Sequence, residues 1–150
     1  MKNRPLPFFL ALLLAFPIAP ILPAQEKGGH KEPETELGKS MEKINRAWRK
    51  LRKQAADSAS NTSSLELVAT INAGLEKALT LKPAKADDVP AAEREKFITA
   101  YQAGLREFIA QLAMLDATFK ANDNTGAEAL ILKLGAMQKE DHKAFKRPDM

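Results

Sequence analysis

The chain has 150 residues, with 23 lysines and arginines against 19 carboxylates, 45% hydrophobic residues, two histidines and no cysteine. That length suits a single domain with a real apolar core. The lack of cysteine excludes disulfides, thiolate metal sites and cysteine nucleophiles. His30 and His142 are too few for a multi-histidine zinc site. Aromatic content of 6% beside abundant Ala, Leu, Lys and Glu favours helices over a β-sandwich.

Residues 1–24 read as a secretory signal peptide. Lys2 and Arg4 make a basic start, Phe8 to Phe16 is an uninterrupted apolar run, and Ala24 offers a small residue for cleavage. Pro17, Pro20 and Pro23 interrupt the segment before it reaches the ~20 apolar residues of a membrane span. The expected location is outside the cytoplasm, in a bacterial periplasm. Cleavage removes Lys2 and Arg4 and leaves 21 cations against 19 carboxylates, a balance that gives no argument for nucleic acid. Residues 25–35 are polar, charged and broken by Gly and Pro, which predicts a flexible lead-in with His30 as a solvated side chain.

Residues 36–150 are expected to form one domain built on four helices. The first, over residues 34–56, carries an apolar seam of Leu37, Met41, Ile44, Trp48 and Leu51 at steps of three and four. A Ser-rich loop over 57–64 supplies N-caps. The second helix, over 65–81, places Leu65, Val68, Ile71, Leu75 and Leu79 on one face. A second loop over 82–89 ends at Pro90, which suits a first helical turn. The third and longest helix, over 90–121, has a seam of Phe97, Tyr101, Leu105, Phe108, Leu112, Leu115 and Phe119. A tight turn over 122–126 leads to the fourth helix, over 127–146. That helix turns Leu130, Leu134, Met137 and Phe145 inward and stops at Pro148.

Short loops between long amphipathic helices predict an all-α, antiparallel up-down-up-down four-helix bundle. In that topology the start of the first helix meets the end of the fourth, bringing Met41 towards His142 across the core. Leu79 and Leu81 from the second helix, and Phe97 and Tyr101 from the third, fall at the same end. Taken singly, a seam methionine is ordinary core filler, and a histidine in a last helical turn complements the dipole. As a pair, a soft thioether and an imidazole facing an apolar gap are the axial ligands of an electron-transfer haem. Copper is the other soft option, although no third ligand stands near.

At these residues the sequence resembles the cytochrome b562 family, soluble four-helix-bundle haem proteins that also appear among standard bundles. Leu37-Gly-Lys-Ser-Met41-Glu42-Lys-Ile44-Asn45 is similar to the family's opening helix, whose methionine ligates iron. Phe97-Ile-Thr-Ala-Tyr101 is similar to its paired aromatics on the third helix, which pack on haem. Asp141-His142-Lys143-Ala-Phe145-Lys146 is similar to its closing segment, whose histidine is the second ligand. The resemblance spans about 34–147, with Tyr101 in place of Phe, Asp141 in place of an aromatic, and a slightly longer connection between the third and fourth helices. It implies one haem b with iron held by Met41 and His142, and with Leu37, Phe97 and Tyr101 in the cofactor pocket.

The related cytochrome c-prime bundles attach haem through Cys-x-x-Cys-His. Here the corresponding positions are Gln138, Asp141 and His142, so haem is expected to be non-covalent. Two axial ligands imply outer-sphere electron transfer with a redox partner protein, not enzymatic turnover. The expected mature protein is a monomer with no membrane span. The basic run over 46–53 reads as a solvated helix face, or alternatively as a docking patch for an acidic redox partner. The competing functional readings are a haem-free periplasmic bundle that binds a partner or senses stress or metal, and a copper-binding bundle.

Overall fold

A computed structural model describes residues 35–147. The signal peptide over 1–24, His30 and the helix stop at Pro148 lie outside the described residues, as does all of the lead-in except Thr35. The protein is an all-α four-helix bundle, with α1 over Glu36–Gln54, α2 over Asn61–Leu79, α3 over Ala91–Lys120 and α4 over Asn124–Phe145. Among the described residues no helix is long and apolar enough to cross a membrane.

Side-chain caps open α1 and α4. Thr35 Oγ1 accepts the Gly38 amide at 2.9 Å and opens α1, and Asp123 Oδ1 accepts the Gly126 amide at 2.9 Å and opens α4. Two expected helix starts move. α4 begins at Asn124 instead of 127 because Asp123 is its cap, not a turn residue. α2 begins at Asn61 instead of 65, after a 3-10 turn over Ser58–Ser60 capped by Asp57. Serines there looked like loop formers because their hydroxyls compete with the backbone. Ser64 is instead fully buried and accepts from Gln54 Nε2 at 2.9 Å, so the helix is extended across the serine run. The expected loop over 82–89 likewise contains a 3-10 helix, Ala84–Asp88.

The predicted seams converge on one core. Ile44, Trp48, Leu51, Val68, Ile71, Leu75, Leu105, Phe108, Leu112, Leu115, Phe119 and Leu134 are buried. On α4 the seam is displaced by one residue: Ile131 is buried, whereas Leu130 is only half-buried against the cluster. Helices adjacent in sequence approach closely, α1 on α2, α2 on α3 and α3 on α4. At Gly74 the approach is tightest. A Cβ there would stand 2.6 Å from Ile44 Cγ1, and Ser40 Oγ donates to the Gly74 carbonyl at 3.0 Å. The fourth seam, between α1 and α4, lacks such close backbone approach.

Candidate functional site

The open seam holds a cleft of about 350 Å³, the size of an ordinary small-molecule or cofactor site. Leu37, Met41, Ile44 and Asn45 of α1 form one wall, and Gln138, Asp141, His142 and Phe145 of α4 form the other. Tyr101, Leu105 and Phe108 of α3 and Leu75 of α2 close the back, while Pro83, Ala84, Lys85 and Arg147 sit at the rim. Met41 and His142 therefore face one largely apolar space from opposite helices.

The local sequence explains why both walls hold. On α1, Met41 continues the seam that buries Ile44, Trp48 and Leu51, but it lies nearer the open end and is only half-buried. On α4, Asp141 and Phe145 lie one turn apart and lean on α3 at Gly104. A Cβ at Gly104 would stand 3.1 Å from Asp141 Oδ1 and 3.6 Å from the Phe145 ring. His142, one residue on, is rotated by about 100° around the helix axis and faces the cleft. Lys85 Nζ donates to the Ala144 carbonyl at 2.6 Å, and Arg147 pairs with Asp88 at 2.6 and 2.8 Å. Those contacts fasten the end of α4 to the α2–α3 connection.

Electrostatics follow from partial burial. Desolvation, with the nearby Lys146 charge, pushes the His142 imidazole below its ordinary pKa, against an opposing pull from Asp141. A neutral imidazole with a free lone pair is the form that binds a metal. Burial and the Glu107 charge push Asp141 up, opposed by His142. Tyr101 is pushed up to about 12 by burial, and its hydroxyl donates to the Ala78 carbonyl at 3.4 Å.

Of the site residues expected from sequence, Leu37, Met41, Tyr101 and His142 line the cleft and Phe97 does not. Phe97 stacks edge-on against Phe145 with ring centroids 5.5 Å apart, and Phe145 in turn meets Tyr101 at 5.6 Å. Tyr101 and Phe145 are thus the aromatics of this cluster presented to the cleft, with Phe97 behind Phe145. Leu79 is half-buried against the core and is not part of the lining either.

Sequence reasoning missed Asn45, Phe108 and Gln138. Phe108 lies two turns beyond Tyr101, and Gln138 one turn before His142, so helical spacing alone could have found both. Gln138 Nε2 donates to Asn45 Oδ1 at 3.1 Å across the α1–α4 seam, a polar stitch at the inner end of the cleft. Among the described residues no three His, Asp or Glu side chains gather to hold an ion.

The sequence model of the cytochrome b562 family matches residues 36–146, the whole of the described bundle but its outermost residues. No curated protein and no solved structure matches the chain.

Proposed function

Because the chain belongs to the cytochrome b562 family, a family of haem-binding electron carriers, we propose that it is a periplasmic electron-transfer protein. In this reading it holds one non-covalent haem b, with Met41 and His142 as the axial ligands of the iron. The observation that carries the reading is the pairing of a thioether and an imidazole on opposite walls of an apolar cleft, at the one seam where neighbouring helices stand apart.

The donor set fits the group. Met/His ligation is the arrangement of electron-transfer haems and favours the ferrous state. Leu37, Leu105, Tyr101 and Phe145 offer apolar and aromatic surface to a planar ligand. Bound there, haem supplies a one-electron couple. The residues would supply the rest: His142 would offer an imidazole whose pKa is pushed down, Met41 a thioether, and the Tyr101–Phe145 cluster an apolar cover. With no cysteine in the chain, ligation and burial are the means of retention.

An optical spectrum of the purified protein, and of protein mixed with haemin, tests the reading. A Soret band with low-spin features in the reduced state is expected. His142→Ala should abolish stable binding, because the stronger ligand is gone and nothing covalent retains the cofactor. Met41→Ala should leave haem five-coordinate or water-ligated, with a lower potential. Wild-type reduced spectra from both variants would reject the ligand assignment. No Soret band even with added haemin would leave the haem-free bundle as the reading, and bound copper without a Soret band the metal-binding one.

A further inference from the structure

The charge of this protein is concentrated on one helix. α1 carries seven lysines and arginines against two glutamates, while the remainder of the described residues carries twelve against thirteen carboxylates. Lys43, Arg46, Lys50 and Lys53 recur at steps of three and four and share one stripe, bordered by Arg49. Over ten residues at 1.5 Å per residue the stripe runs ~15 Å. All five side chains are exposed. Arg46, Arg49, Lys50 and Lys53 together wall a shallow depression that contains no acidic side chain. Arg46 is paired with Glu42 at 2.6 Å. Arg49, Lys50 and Lys53 have no ion-pair partner among the described residues.

Like charges at this spacing weaken a helix. α2, α3 and α4 interleave both signs, so the accumulation on α1 is a local departure from how this protein builds its surface. Its position is informative. α1 is also a wall of the cleft, through Met41, Glu42 and Asn45, and Arg46 and Arg49 occupy the following turn, towards the α1–α2 connection.

We propose that the outer face of α1, centred on Arg46, Arg49, Lys50 and Lys53, is the docking surface for an acidic redox protein. The electron passed there rests on the haem reading above, whereas the docking itself does not. A protein partner is favoured over a lipid surface because basic helices that lie on membranes pair their cations with an exposed apolar wedge. Among the described residues the exposed large hydrophobics are Met114 and Leu132, on α3 and α4.

An acidic plant-type [2Fe–2S] ferredoxin serves as the probe. In stopped flow, one electron leaves its reduced cluster and converts ferric haem to ferrous, with no proton transferred. The second-order rate constant should fall ~10-fold or more between ~10 and ~300 mM salt. Arg49→Glu with Lys53→Glu should cut the low-salt rate ~10-fold and flatten its salt dependence, and the Arg49→Gln/Lys53→Gln pair should fall between. Lys96→Glu with Lys133→Glu, the same charge change on α3 and α4, should behave as wild type, and a neutral hydroquinone should reduce every variant equally. A salt-independent rate, or equal loss from the control pair, would overturn the proposal.

Amide NMR of the isotope-labelled protein mixed with oxidised ferredoxin needs no haem. Perturbations gathered at 43–53 would sustain the docking surface even if the cofactor reading failed. Perturbations elsewhere, or binding to phosphatidylglycerol vesicles without ferredoxin binding, would reject it.

Discussion

The two ends of this bundle use the same four helices for opposite purposes. At the end formed by the α1–α2 connection and the α3–α4 turn, side-chain hydrogen bonds lace the two connections together. Asn61 and Asn124 exchange side-chain hydrogen bonds, with Asn124 Nδ2 to Asn61 Oδ1 at 2.9 Å and Asn61 Nδ2 to Asn124 Oδ1 at 3.3 Å. Asn124 also donates to the Ala55 carbonyl at 2.7 Å, joining both connections. Asn122 adopts a left-handed φ of 56° and closes α3 with two backbone bonds, from its own amide to Phe119 and from Asp123 to Thr118. The largest side chains fully removed from water, Phe119, Leu51, Leu112, Leu115 and Leu134 among them, lie in this half or near the middle. At the other end α4 has no buried residue beyond Leu134, and α1 and α4 part around the cleft. Cohesion concentrated at one end lets the other keep an open seam without losing the fold.

The sharpest way to break that asymmetry is to excavate the closed end. Phe119 is 1% exposed. Phe119→Ala should cost about 3–5 kcal/mol, the usual range for truncating a buried aromatic. Leu37→Ala, at the half-buried lip of the cleft, should cost well under half as much in haem-free protein, because its neighbours already face open space. Urea unfolding of both variants tests this, and equal losses would mean that the two ends share stability evenly.

Haem should erase part of the difference. A ligand that binds only the folded state stabilises it by about 4 kcal/mol at a thousand times its dissociation constant. The open end bears the contacts, so hydrogen-exchange protection should rise at the start of α1, around Tyr101 and over the last turns of α4. Little should change at the α3–α4 turn in sub-global opening, since it is already closed. Protection gained only at that turn would put the cofactor at the wrong end.

How much of this was legible beforehand differs between the ends for a physical reason. Helix number, order and most seam residues follow from three-and-four spacing, which is a property of one chain segment at a time. Placing Met41 and His142 at the same end needed only short loops and antiparallel topology. The openness of the α1–α4 seam could not be read, because it depends on how closely Gly74 and Gly104 let their own partner helices approach. Phe97 shows the same limit. Periodicity put it on the inner stripe of α3, but whether it or Phe145 fronts the cleft is decided by packing between helices. The serine run was misjudged because burial of Ser64 against Gln54 is a tertiary contact, invisible to local propensity.

The asparagine lacing sharpens the comparison at a smaller scale. Asn61 is 7% exposed. Asn61→Ala removes a partner of Asn122 and of Asn124 and leaves polar atoms half-buried, at a cost of about 1–3 kcal/mol. Because both residues belong to one network, Asn61→Ala combined with Asn124→Ala should cost less than the sum of the single changes. Additive losses in a double-mutant cycle would show that the two connections are held independently.

The smallest expected effect at neutral pH belongs to Tyr101, the single tyrosine of the chain. Its hydrogen bond to Ala78 is long, at 3.4 Å, so Tyr101→Phe should change stability by only about 1 kcal/mol. The alkaline limb is where it tells. Burial holds the folded phenol up to about 12, against ~10 in an unfolded chain. A folded pKa above the unfolded one means that the group's contribution is fully present below pH ~10 and is lost as pH rises through the folded value. Ultraviolet titration of phenolate should therefore show a midpoint near 12 in native protein and near 10 in urea. Tyr101→Phe should remove that component of the alkaline loss of stability. A native midpoint close to 10 would mean that water reaches the back of the cleft freely, and that the open end is looser than its packing around Phe145 indicates.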